Sequence, residues 1–382
     1  MNWFVATAVI LGAAKEPRLT ARLDDSVRTP LPRPDVVHGL YVNRWAMLTP
    51  KIWHLVHLAR TTEVNALVID VKDDRGLVLY RSRVPLAHQI GADNSSPVPA
   101  ARLRAVLDTM RANGVHAIAR IVVVKDPLLA RARPTWSVKT RGTGKPLLDG
   151  KGAPWLDAHQ REVWQYAADL AEEAVALGFS EVQFDYVRFP DEPRLQREAA
   201  YAMAQGRSRA QVIREQLGYL RKRTDSIGVT MAIDVFGATT SVTTDMGIGQ
   251  KWEMFADKAD VVMPMVYPSH YPRGTYGIPV PNAAPYAVID RALKYGIARN
   301  AKIEGAAKIV PWYQDFTLGK PKYGVEQIRE QIRAGHDNGI ESWVLWNASS
   351  RYTEAALGTR APSETGEPDH VALPPRRVPR AS

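Results

Sequence analysis

Cysteine is absent from all 382 residues. No disulfide framework, thiolate metal site or cysteine nucleophile is therefore available. The absence does not fix a compartment, since an exported protein can do without disulfides. Long apolar runs are missing as well. Residues 3–14 form an apolar run interrupted only by Thr7 and fall short of the ~20 residues a membrane span takes, so no stable membrane span is expected. There is no Gly-rich phosphate turn after the first strand-like segment, where a doubly wound sheet would carry one. A Ser-centred nucleophile elbow is also lacking. Zinc-finger spacings and RNP sequences are absent, so the formal charge of +10 does not point to a nucleic-acid partner.

What charge there is has one concentrated stretch. Arg131, Arg133, Lys139, Arg141 and Lys145 fall in a segment, 127–148, without a single acid. A solvated basic loop is the plain reading, and an anionic ligand is the sharper one. The ends of the chain differ from its middle. Residues 1–14 resemble a signal segment, with Gly12-Ala13-Ala14 as a small-residue cleavage site but no Lys or Arg before the apolar run. We expect an exported protein on that basis. Residues 15–36 read as a Pro-rich linker, and residues 359–382 as a disordered Pro- and Arg-rich tail.

Between these ends, residues 37–358, strand-like and helix-like segments alternate. The candidate strands are 39–42, 64–71 (VNALVIDV), 115–124 (VHAIARIVVV), 181–187, 229–236 (VTMAIDVF), 261–266, 302–310 and 342–346. They are nearly continuous in apolar character, as strands buried on both faces should be. The segments between repeat apolar residues every three or four positions. In residues 160–177 these are Val163, Ala167, Leu170, Ala174 and Leu177, and Gly178 follows as a stop. Parallel neighbours need crossover connections, and eight is the barrel number. The fold class predicted is α/β: a (β/α)8 TIM barrel, one domain with N- and C-terminal extensions, and we expect a monomer.

A barrel does its chemistry at the C-terminal ends of its strands. Those ends carry Asn43-Arg44-Trp45, then Asp70 with Lys72-Asp73-Asp74, then Lys125-Asp126, then Asp185, Tyr186 and Arg188. Asp234 and Phe236 follow on strand five, Met265, Tyr267 and His270 on six, Trp312 to Asp315 on seven, and Trp346-Asn347 on eight. Carboxylates in apolar strands are costly to bury unless paired or used. Aromatic faces among carboxylates suit sugars, which offer C–H faces for stacking and hydroxyls for hydrogen bonds. Glycoside cleavage needs one carboxyl as acid and another as nucleophile or base. Asp185 is the first candidate; its structural alternative is a buried ion pair with Arg188 or Lys72. Asp234 and Asp70 occupy the same position on their strands. His54 and His57 have metal-ligand spacing but sit on an outer helix without a zincin pattern, so no metal or cofactor is expected. Asp73-Asp74-Arg75-Gly76 reads as a hairpin turn.

The segments LVIDVKD (67–73), RIVVVKDP (120–127) and VQFDYVRFP (182–190) resemble the DUF4015 type of glycoside hydrolase domain, over about residues 37–355. The resemblance implies a TIM barrel related to α-amylase-like and α-galactosidase-like hydrolases. It implies a strand-four nucleophile, here Asp185. The amylase-like pattern puts the acid on strand five, here Asp234. The galactosidase-like pattern wants an Asp on strand six, where this sequence has Met265 and Tyr267. Asp70, Lys72 and Arg188 would orient the pair; Tyr267, Trp312, Trp346 and Asn347 would bind a polysaccharide or oligosaccharide substrate. The basic stretch, leaving strand three at the active end, suggests an anionic one. Two other classes stay open: a non-catalytic carbohydrate-binding or cell-envelope scaffold barrel, and a metal-dependent carbohydrate deacetylase, which would need clustered His and Asp ligands.

Overall fold

A computed structural model describes residues 29–360. The apolar run at 1–14, most of the linker and nearly all of the tail lie outside the described residues. Eight parallel strands close into a barrel: β1 (His38–Val42), β2 (Ala66–Lys72), β3 (His116–Val122), β4 (Glu181–Asp185), β5 (Thr230–Phe236), β6 (Val261–Met265), β7 in two pieces (Lys308–Ile309 and Trp312–Gln314) and β8 (Trp343–Trp346). Closure runs through β8 beside β1 and through Trp312 of β7 beside Met265 of β6. This is the (β/α)8 barrel expected. Seven crossovers carry helices, the longest being Arg161–Leu177 and Arg209–Ser226. Gly178, left-handed at φ 115°, stops the first; a Ser208/Gln211 capping box starts the second. After β8 no α-helix follows among the described residues. A short 3-10 turn, Glu354–Ala356, takes its place, and Thr359 then pairs with Thr62.

Strand seven starts later than expected. The helix before it runs from Pro285 to Asn300, so residues 301–306 form the turn and not the strand. Gly305 sits there at φ 66°.

Period-two alternation sorts the strand residues into two cores. Leu67, Ile69, Ala119, Ile121, Val182, Phe184, Ile233 and Val235 pack outward under the helices. Val68, Ile118, Ala232, Met263, Trp312 and Val344 fill the barrel. The same alternation turns Asp70, Arg120, Gln183, Asp185 and Asp234 inward, above this apolar plug. Below it, Glu181 accepts from His116 Nε2 at 3.0 Å and from Arg33 Nε at 2.9 Å, so residues just ahead of β1 tie down the barrel's other end. No helix among the described residues is long and apolar enough to cross a membrane.

Candidate active site

A cleft of about 680 Å³ opens at the C-terminal ends of the strands. Its floor is a buried cluster of three carboxyls around one guanidinium. Arg120 reaches up from the middle of β3. Its Nη1 donates to Asp70 Oδ1, and its Nη2 and Nε both donate to Asp185 Oδ2, the latter at 3.1 Å. The same Nε lies 3.8 Å from Asp234 Oδ2. All four side chains are nearly inaccessible to water. Register places them so, since Asp70 stands opposite Arg120, which stands opposite Gln183, and Val122 stands opposite Asp185.

The three acids differ in their surroundings. Asp185 receives a third N–H, from Tyr186 on Oδ1. A carboxylate has about four lone-pair sites, so one on Oδ1 stays open. Asp234 has Oδ1 occupied by two neutral donors, Gln183 Nε2 at 2.6 Å and Trp312 Nε1 at 2.7 Å. Burial, and then the charge of Asp185, push the Asp234 carboxyl well above the usual carboxylate range, against the smaller pull of Arg120. Oδ2 is the oxygen that accepts no hydrogen bond. Asp70 is raised to about 6 by burial, with Arg120 and the Tyr41 hydroxyl opposing. Tyr41 donates to Asp70 Oδ2, and burial, then the Asp70 charge, keep that phenol protonated. Three carboxyls share one guanidinium, so they cannot all ionise cheaply, and the protonated form is favoured most at Asp234, the one with the weakest donors.

Backbone geometry redirects the chain after β4. Strand alternation would have split Asp185 from Tyr186 and Arg188. Instead Tyr186 turns left-handed at φ 53°, a costly conformation for an aromatic residue, and all three line the cleft. The guanidinium carbon of Arg188 stands among Phe236, Tyr186 and Trp155, at 4.5, 4.8 and 5.1 Å from the ring centres. It pairs with Asp191 at 3.0 Å. Just after β5, Gly237 is required by space: a Cβ there would stand 2.4 Å from the Met265 carbonyl oxygen.

Of the predicted residues, Asp70, Asp185, Arg188, Asp234, Tyr267, Trp312 and Trp346 all line the cleft. Two are placed elsewhere. Lys72 is buried outside the barrel, its Nζ 2.8 Å from Asp126 Oδ2 and over the Tyr166 ring. A register shift between Asp70 and Lys72 breaks the alternation that would have put both inside. Asn347 follows the last residue of β8 and points away; it donates to the Asp315 carbonyl and accepts from Ser349 N, holding a loop. Trp312 also has another role than stacking, being buried and spent on Asp234. His54 meets Glu354 on the surface. The basic stretch leaves β3 at the active end, yet none of its five cations lines the cleft; Arg141, for one, is tied to the Ala199 carbonyl. Among the described residues, no group of three or more His, Asp or Glu is arranged to hold a metal ion. Tyr41, Arg120 and Gln183 are the site residues sequence reasoning passed over, and Trp45 is named there only as part of a strand end. Arg120 had a readable signal, since a lone cation in an apolar strand needs a buried partner as much as an Asp does.

A family model described as “Putative glycosyl hydrolase domain” (DUF4015) matches residues 39–352. The chain belongs to this family. Its sequence is 36% identical to a hypothetical protein of Ruminiclostridium thermocellum over 51% of this chain and 97% of that one, with a TM-score of 0.47. The glycoside hydrolase domain of PgaB (BpsB) from Bordetella bronchiseptica superposes with a TM-score of 0.59 at 14% identity, covering 85% of this chain and all of that one. The α-galactosidase TtGalA from Thermus thermophilus has a TM-score of 0.48 at 16% identity, covering 85% and 59%. Among curated proteins, none matches. Membership of the DUF4015 family and the barrel together make this chain glycoside-hydrolase-like.

Proposed function

We propose that this DUF4015 protein hydrolyses glycosidic bonds of a polysaccharide by a retaining mechanism, with Asp185 as nucleophile and Asp234 as acid/base. The observation that carries this reading is the division of labour between two adjacent buried carboxyls. Asp185 is held by three N–H donors and has an open Oδ1. Asp234 has its protonated form favoured by burial and by the Asp185 charge, and its Oδ2 accepts no hydrogen bond. In the first step Asp185 Oδ1 bonds to the anomeric carbon as the bond to the leaving oxygen breaks, and Asp234 gives that oxygen its proton. In the second step Asp234, now a carboxylate, takes a proton from water. The water oxygen bonds to the anomeric carbon and the ester to Asp185 breaks. Arg120 never leaves Asp185 and takes up its charge when it is released.

Retention is the outcome that the nucleophile role of Asp185 requires. The Oδ2 atoms of Asp185 and Asp234 lie 3.1 and 3.8 Å from the same guanidinium nitrogen, so the two carboxyls face one another across Arg120. Retaining pairs stand ~5–5.5 Å apart and inverting pairs ~6.5–9.5 Å, with room for a water between. The test is a polysaccharide panel followed by proton NMR of the first product formed. We expect the anomeric configuration of the substrate to be kept. A product of opposite configuration would make Asp234 or Asp70 a base and end the nucleophile assignment.

The acid role of Asp234 has its own test. Asp234→Asn should lower turnover of a polysaccharide about 10²-fold or more. Aryl glycosides whose phenolate leaves without a proton should lose far less. In the unsubstituted enzyme the rate should fall as pH rises through the raised pKa of Asp234, because the protonated form is the reactive one. That limb should vanish in Asp234→Asn. Equal losses on both substrate types would remove the assignment.

A further inference from the structure

Arg44 stands at the end of β1, where Asn43 caps the short helix Arg44–Leu48. It lines the cleft and is only 2% exposed. The other arginines of the cleft have carboxylate partners: Arg75 has Asp73, Arg188 has Asp191, and Arg120 has the acidic cluster. Arg44 pairs with no carboxylate among the described residues. Its Nη2 donates to the carbonyls of Ser95 and Ser96. Its Nε and Nη1 are buried without any hydrogen-bond partner. A guanidinium cannot shed its charge, and a buried, unpaired one is among the most costly groups a protein can hold. Something outside the chain can relieve that cost.

The neighbour says what. Trp45 also lines the cleft and is 52% exposed, whereas Trp312, Trp346 and Tyr267 are half-buried or buried. The guanidinium carbons of Arg44 and Arg75 lie 5.7 and 5.8 Å from the centre of its ring. Nearby Asp73 and Asp74 are already neutralised, by Arg75 and by Lys125, so they do not repel an arriving anion as free carboxylates would. We propose that this corner is a subsite for an acidic sugar residue, whose ring stacks on Trp45 and whose carboxylate pairs with Arg44. The planar fork of a guanidinium matches a carboxylate. This rests on the hydrolase reading for the presence of a sugar chain in the cleft. It moves the anionic preference from the basic loop to the cleft wall.

The test measures binding, separately from turnover. Calorimetry on the full-length Asp185→Asn protein would use trigalacturonate and a hyaluronan tetrasaccharide, each against its carboxyl-reduced, neutral counterpart. A carboxyl-reduced but sulfated chondroitin oligosaccharide would serve as a third arm. We expect at least one acidic member to bind about tenfold or more tightly than its neutral partner, ~1.4 kcal/mol. Adding Arg44→Gln should bring that ratio towards one, and Arg44→Lys should keep part of it. Trp45→Ala, at a position whose side chain is exposed, should weaken both members of the pair. If Arg44→Gln does not fold, the pair comparison and Trp45→Ala decide alone. Equal binding of acidic and neutral partners overturns the proposal, as does a preference that survives Arg44→Gln. Failure of every acidic member to bind also overturns it, and full affinity for the sulfated arm removes the carboxylate assignment. Acid-selective binding with no turnover by the unsubstituted protein would remove the hydrolase reading and leave the subsite. Turnover of neutral glycans without acid preference would do the reverse.

Discussion

Asp185→Asn is expected to reduce polysaccharide hydrolysis by a factor on the order of 10⁴, leaving a folded protein that still binds its substrate. The amide has nearly the shape of the carboxyl. It can still accept from Tyr186 N, but it cannot form the ester that divides the reaction into two steps. A sharper result comes from Asp185→Ala. Truncation vacates a space at which Arg120 Nε, Arg120 Nη2 and Tyr186 N all point. Three converging N–H groups make an anion site, so added azide should occupy it and attack the anomeric carbon. The product should be a glycosyl azide of configuration opposite to the substrate. The nucleophile assignment fails if Asp185→Ala keeps a tenth of the activity, or if the azide product retains configuration. A secondary effect has a definite sign. The Asp185 charge is one of the two causes raising the Asp234 carboxyl. In Asp185→Asn that cause is gone, so Asp234 should titrate at a lower pH than in the unsubstituted protein, as followed by carboxyl NMR.

The barrel was legible because its signals are local and repeated. Apolar runs such as VNALVIDV, each followed by a three-to-four periodicity and a stop like Gly178, leave few architectures open. Reading each strand's last residues then found Asp70, Asp185 and Asp234, which the structure gathers around one centre. What stayed hidden was wherever the backbone departs from simple alternation. Lys72 is two residues past an inward Asp70 and should share its direction, but the register shift between them turns it out to Asp126. Tyr186 and Arg188 reach the cleft only because Tyr186 adopts a positive φ, which sequence does not announce in an aromatic residue. Arg120 was hidden for a different reason. It lies mid-strand, one layer below the strand ends being read, and its long side chain climbs to the level of the carboxyls. Trp312 was read as a stacking surface because its ring is apolar, whereas its single N–H decides its role at Asp234.

Arg120 should therefore prove the most sensitive position for folding as well as rate. In Arg120→Leu, Asp70, Asp185 and Asp234 stay buried with no counter-ion. Removing one partner from a buried ionic cluster costs about 3–5 kcal/mol, a large part of the ~5–15 kcal/mol that holds a typical domain together. Activity should be undetectable, since no donor on Arg120 remains to hold Asp185. The pH dependence separates this electrostatic account from simple loss of packing. Arg120 lowers the carboxyls of Asp70 and Asp234, so without it both should rise further in the folded state while their unfolded values stay near 3.8. Raised folded pKa values mean that the folded variant binds more protons than the unfolded chain above pH ~4. Stability of the variant must then fall as pH rises through that window. The difference in melting temperature between the unsubstituted protein and Arg120→Leu should change little up to pH ~6, where Asp70 of the unsubstituted protein also still carries its proton, and grow from there towards pH 8. A cavity left by a missing side chain would give a difference independent of pH. Arg120→Lys keeps one charge but loses the fork, so it should fold, recover most of the melting temperature at pH 8, and still hydrolyse at least tenfold more slowly, because an ammonium cannot hold Asp70 and Asp185 in the fixed geometry of a guanidinium.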